Sequence, residues 1–321
     1  MLLNAAIFAG VIATALVLLS PRLSRAPLWR AVITPLASII GSGFLILGPL
    51  LDDAYGVWAP AVMAALCLTA FAFGWAVRYN IAGISDAADT RGRTENHLET
   101  ASSWALAFAY IVSVAYYLNL FGAFGVSLTP FDDPFHARLL TTAAFALILA
   151  LGWSHGFKAL ESLEYFSVTA KLAIIVGLII GMAAYFWHRA SGGSLVFIEP
   201  RLHGWAAVTL AFGLIVTVQG FETSRYLGEE YDPPTRIRSM RLAQGVSTVI
   251  YMIYVVLIAY VFRRSELMMS ETAIVDMMGV IAPVLPALLV VAALTAQMSA
   301  AVADTGIDPG DVDQVLMGCV L

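Results

Sequence analysis

The sequence predicts an all-α polytopic membrane protein, and three observations carry that expectation. Of its 321 residues, 60% are hydrophobic and 12% charged, whereas soluble domains lie near about half and about a quarter. Apolar runs long enough to cross a bilayer, about 20 residues each, recur along the chain. Nearly all the charge falls in the connectors between them. Nine runs read as spans: 2–20, 31–51, 57–78, 101–125, 137–155, 161–187, 205–226, 241–262 and 280–303. The longest polar connector, 79–100, is too short for a soluble domain.

The first run, MLLNAAIFAGVIATALVLLS, has no basic residue ahead of it; the charge follows in PRLSRAPLWR. It therefore reads as an extra membrane-anchored helix with its N-terminus outside, with a cleaved signal peptide as the alternative. The connectors fix the orientation. Segments 21–30, 78–100, 156–160 and 225–241 carry eleven Lys and Arg, the opposite set carries five, and Lys171 lies inside a span. The eleven mark the cytoplasmic side. The other side carries Asp52-Asp53 and Asp132-Asp133.

The second run holds the stretch ASIIGSGFLILG, residues 37–48. Glycine costs roughly 1 kcal/mol against alanine inside a helix, and lipid offers no substitute hydrogen bonds. Gly41-Ser42-Gly43 therefore predicts a broken helix, whose second half would present free N–H groups to an anion. Close packing of small residues is the alternative. The 57–78, 101–125 and 137–155 runs are plainly apolar; Tyr110, Tyr116 and Tyr117 in the second of these are ordinary membrane aromatics or a substrate cap. In the 161–187 run, Lys171 lies about 15 Å along a helix starting at Glu161. An ammonium at that depth is costly and marks an ion or proton pathway, unless it snorkels to the interface.

The 205–226 run is broken as well, at Gly213 and around Thr217, Gln219, Gly220 and Glu222. Two glycine-broken spans point to a midplane site formed by discontinuous helices. Alternatively Gln219 bonds a neighbouring helix and Glu222 faces water. In the last run, Thr295, Ser299 and Asp304 add polarity to a small-residue helix, where Ser299 could ligate a cation or receive a lysine ammonium. His97, His136, His155, His188 and His203 show no metal-site spacing. Cys67 and Cys319 suggest neither a disulfide framework nor a metal site. No nucleophile–base pair is legible, so no enzyme activity is expected.

Two motifs resemble the amino acid–polyamine–organocation (APC) superfamily of permeases. IIGSGF at 39–44 is similar to its unwound first core helix. GFETSRYLGEEYDPPTRIRSMRLA at 220–243 is similar to the end of its sixth. Lys171 resembles the fifth-helix lysine that replaces a sodium ion in proton-coupled members. The resemblance covers roughly 31–304. It implies a LeuT-type inverted-repeat bundle, with residues 1–30 as the extra helix and its basic loop. The first five-helix repeat would be 31–190, and a partial second repeat 191–304. It further implies that Ile40, Gly41, Ser42, Gly43, Phe44, Val216, Thr217, Gln219 and Gly220 bind the substrate, with the N–H groups of Gly41, Ser42 and Gly43 holding a carboxylate and carbonyls near Val216 and Thr217 an amine. Lys171, with Ser299 and Glu222, would couple a proton.

The chain departs from the family pattern in its extra first helix and in VTVQGFE, where many members have aromatics. The ninth and tenth core helices are also missing. The tail at 305–321 contains GIDPGDVDQVLMGCV, which is similar to a thiolase N-terminal fragment. The expectation is a permease truncated after its eighth core helix, with a genuine cytoplasmic tail as the alternative. The function expected is secondary transport of an amino acid or small amine, by alternating access in a bacterial inner membrane. A proton or Na+ would be the coupling ion, with no other cofactor. The expected partners are the bilayer and a small molecule, not nucleic acid; the oligomeric state is open. A transporter-like ligand sensor and a non-functional fragment are the competing readings.

Overall fold

The computed structural model describes residues 1–41, 43–87, 92–155, 157–228, 230–264 and 272–305. The tail likened to a thiolase fragment lies outside them from residue 306 on. Among the described residues every regular element is helical. In order these are α1 (Leu2–Leu18), α2 (Pro21–Ser24), α3 (Pro27–Ile39), α4 (Gly43–Tyr55), α5 (Ala59–Ala87), α6 (Arg93–Val126), α7 (Pro134–His155) and α8 (Phe157–Ser191). They continue with α9 (Gly204–Leu214), α10 (Pro233–Ile258), α11 (Ala273–Ile281) and α12 (Leu285–Thr305). Short 3-10 stretches cover Gly56–Trp58, Ile215–Val218 and Phe221–Tyr226.

Among the described residues, five helical stretches are long and apolar enough to cross a membrane: Gly43–Gly83, Arg93–Val126, Glu164–Ser191, Gly204–Tyr226 and Pro233–Ile258. Leu2–Leu18, Pro134–Ala150 and Leu285–Ala301 are shorter apolar helices. Exposed Phe8, Ile12, Leu68, Phe73, Trp104 and Phe108 leave the outer faces of α1, α5 and α6 apolar. That suits lipid as solvent and would be an anomaly in water.

α3 sits at the centre, packed against α8, α10 and α12. Its Val32 and Leu36, and Ile40 just beyond its end, are 0% exposed. α1 lies along α8, where Gly177 and Gly181 open room for it. A methyl group at Gly177 would stand 2.6 Å from Val11 Cγ2, and one at Gly181 would stand 3.3 Å from Ile7 Cδ1. Small residues at such a contact let two membrane helices approach closely. The Tyr165 hydroxyl adds a bond to Leu18 O (2.9 Å).

Two helix starts follow from Asp-Pro pairs. Asp232 accepts the Thr235 N–H (3.2 Å) ahead of Pro233. Asp133 Oδ1 accepts the Phe135 and His136 N–H groups (2.9 and 3.1 Å) ahead of Pro134. Each aspartate caps orphan donors, and each proline occupies a position where no N–H is needed. The His136 ring bond to Asp133 holds that carboxyl below the usual carboxylate range, with help from the two backbone donors.

Several expected boundaries move, and two have a legible cause. The eighth span begins at Pro233, not 241, because the Asp232 cap extends the helix into polar sequence. The 280–303 run is two helices, α11 and α12, separated at Ala282–Val284. Pro283 has no N–H to continue a helical ladder, and Ala282 is extended (φ −158, ψ 139).

Candidate functional site

The interruption in the second run is a true break. α3 ends at Ile39, Ile40 leaves helical geometry (φ −85, ψ 63), and α4 starts at Gly43. A helix end leaves its last carbonyls without intrahelical partners, and inside a membrane they must find others within the protein. Leu36 O takes the Ile40 N–H (3.1 Å). Ala37 O and Ile40 O accept from Lys171 Nζ (2.9 and 2.8 Å). Ile39 O accepts from the Tyr251 hydroxyl (2.7 Å).

Lys171 is 0% exposed, so it does not snorkel. Its Nζ also donates to Ser299 Oγ on α12 (2.9 Å). Ser299 spends its own hydrogen on Ala296 O (3.0 Å), which leaves its lone pairs for the ammonium. The negative end of the α3 dipole lies at this break. A cation is thus held where backbone negative charge is concentrated.

The second break faces the first. α9 ends at Leu214, and a 3-10 stretch reaches Val218. Gln219 is then extended, and Gly220 takes φ +108. A methyl group at Gly220 would lie 2.6 Å from the Ser38 carbonyl carbon. Both its backbone angle and its contact with α3 therefore require glycine. Thr217 Oγ1 donates to Leu214 O (2.6 Å), and Thr223 Oγ1 donates to Gly220 O (2.8 Å). The Tyr251 hydroxyl also lies 2.9 Å from Thr217 O. One side chain on α10 therefore touches a freed carbonyl of each broken helix.

A family model describing an APC superfamily transporter matches residues 21–320. The chain belongs to the APC superfamily of transporters. An uncharacterised protein of Aquifex aeolicus (strain VF5) is 37% identical over 307 residues, which covers 93% of this chain and 74% of that protein. The helical architecture, the apolar spans and the family together make it an all-α polytopic membrane protein.

In this APC transporter most of the expected site residues converge. Gly43 faces Thr217, where a methyl group would stand 3.4 Å from Cγ2. Gly41 lies beneath the Tyr117 ring, 3.0 Å from such a methyl group to Cε1. Tyr117 thus comes to the break. Phe44 stacks obliquely on Tyr254 and Tyr251, with centroids 4.5 and 5.5 Å apart. Ser42 lies outside the described residues.

Other residues stand differently from expectation. Gly213 lies inside α9, the α-helix tightens to a 3-10 turn only at Ile215, and the backbone leaves helical geometry at Gln219. Val216 O already accepts the Gln219 N–H (3.4 Å), and Thr217 O faces Tyr251. Glu222 Oε2 accepts the Gly220 N–H (2.9 Å) and so closes the turn of the second break. Thr295 bonds back to Val291 O (2.9 Å) and Ala292 O (3.0 Å) of its own helix.

Sequence reasoning missed Tyr251 and Tyr254. Tyr254 donates to Leu45 O (2.6 Å), the carbonyl that position 49 would pair with were it not proline. The available signal was their spacing. Two tyrosines three apart lie on one helix face, within an apolar run where each hydroxyl needs a partner.

Proposed function

We propose that this protein is a secondary active transporter of LeuT-type architecture for an amino acid or related small amine. Transport is coupled to protons and proceeds by alternating access around the two facing breaks. The observation that supports this best is Lys171 Nζ, held by Ala37 O, Ile40 O and Ser299 Oγ. Unwound carbonyls and a hydroxyl are the donor set of a cation site in a discontinuous helix. A lysine there carries its own removable charge. While protonated, it draws α3 to α8 and α12. Once the proton leaves, that attraction fades and the α3–α4 pair is free to shift against its neighbours. The backbone of residues 40–44 would take a substrate carboxylate, and that of 216–220 the amine. A bacterial cell membrane fits this reading.

The test is uptake into proteoliposomes under an imposed pH gradient, with amino acids and amines screened in turn. Uptake should follow the gradient, and Lys171→Ala should abolish the dependence. Gradient-driven uptake unchanged by Lys171→Ala overturns the coupling role. Thermal stabilisation by a ligand that is never taken up would instead mark a ligand sensor.

A further inference from the structure

At the end of α4 away from the break that Lys171 bonds, the last turn carries Asp52-Asp53. The segment between α8 and α9 straps this end down. Val57 N–H bonds Ile198 O (2.9 Å), Arg201 and Leu202 N–H both bond Ala54 O (3.1 and 3.0 Å), and Val196 N–H bonds Tyr260 O (2.9 Å). Two arginines, Arg201 and Arg264, reach Asp53. Arg201 Nη2 lies 2.7 Å from Asp53 Oδ2, an ion pair without hydrogen-bond alignment. Arg264 Nε lies 3.7 Å from Asp53 Oδ1, and its Nη2 bonds Asp53 O (3.3 Å) and Glu199 O (2.5 Å).

Asp52 gets none of these bonds. It is 0% exposed, and among the described residues neither carboxyl oxygen has a hydrogen-bond partner. Among the described residues, Arg264 and Asp53 are the charges that reach it, and Tyr260 is the phenol beside it. The first turns of α5 carry no ionisable side chain, and Asp276 on α11 is exposed. An ionised carboxylate buried without a hydrogen bond is costly enough that such a group takes up a proton instead.

We propose that Asp52 is a proton-binding site coupled to the strap at 195–202, neutral while the strap is closed and ionised once it lifts. Closing takes one proton from water onto a carboxylate oxygen, and opening returns it. The inference rests on the transporter reading only for its place in a cycle, where it makes closure of this end proton-linked independently of Lys171.

The test uses the full-length protein in lipid nanodiscs, melted at pH values from about 6 to about 9, around the neutral range above the ordinary carboxylate value. The folded state holds a proton that the unfolded state has lost, so this contribution to stability falls as pH rises through the titration of Asp52. The wild-type melting temperature should fall by several degrees, while Asp52→Asn, which mimics the neutral acid, should stay level. Parallel slopes, or an Asp52→Asn protein weakened equally at every pH, overturn the proposal. A second readout covers poor folding of that variant. In a background lacking Cys67 and Cys319, Ala54→Cys should react severalfold faster with a thiol reagent as pH rises, beyond the rise from thiolate formation alone. A rise no greater than that overturns the coupling to the strap. Neither measurement uses substrate or a gradient, so the Lys171 reading and this one fail separately.

Discussion

At the scale of single residues, the site is a matter of freed carbonyls and who claims them. Tyr251 holds one from each break, Ile39 O and Thr217 O, and is itself 0% exposed. Tyr251→Phe keeps the ring against Phe44 and removes only the hydroxyl. It should cost about 1–3 kcal/mol, the scale for leaving a buried polar group unsatisfied, read as a lower melting temperature in detergent. An unchanged melting temperature would show that the hydroxyl does not hold the breaks together. The glycines and Lys171 were legible in the sequence because each is expensive in a span. Tyr251 was not, because tyrosine is common in membrane helices and its partners are backbone atoms, which no residue type announces.

At the scale of elements, boundaries were legible wherever apolar length decided them. They were misjudged where caps and prolines decide. The Asp232-Pro233 start and the Pro283 interruption are short-range chemistry that a hydropathy window averages away. Packing between helices was least legible of all. The seat of α1 on α8 depends on Gly177 opposite Val11 and Ile7, a fit of shapes rather than a motif. Gly177→Leu should therefore push α1 off, and limited proteolysis should cut the linker at residues 20–26 faster than in the wild type. Equal cleavage rates would mean that the close approach at Gly177 is not what seats α1.

At the scale of the whole molecule, charge asymmetry sets the orientation. With eleven basic residues on one side against five on the other, the loop at Thr129 should lie outside and Gly92 inside. Single cysteines at these exposed positions, treated with an impermeant thiol reagent on intact cells, should be labelled at 129 and spared at 92. The reverse pattern would invert the molecule. The central bonds also carry a consequence for how the chain is made. Lys171 lies 134 and 131 residues beyond Ala37 and Ile40, and Tyr251 lies 212 beyond Ile39. At about 5–20 residues per second, the first broken helix emerges from the ribosome on the order of ten seconds before either partner exists. During synthesis, then, the gap at Gly41 is an open debt in the bilayer. It is settled only when the later half of the chain inserts.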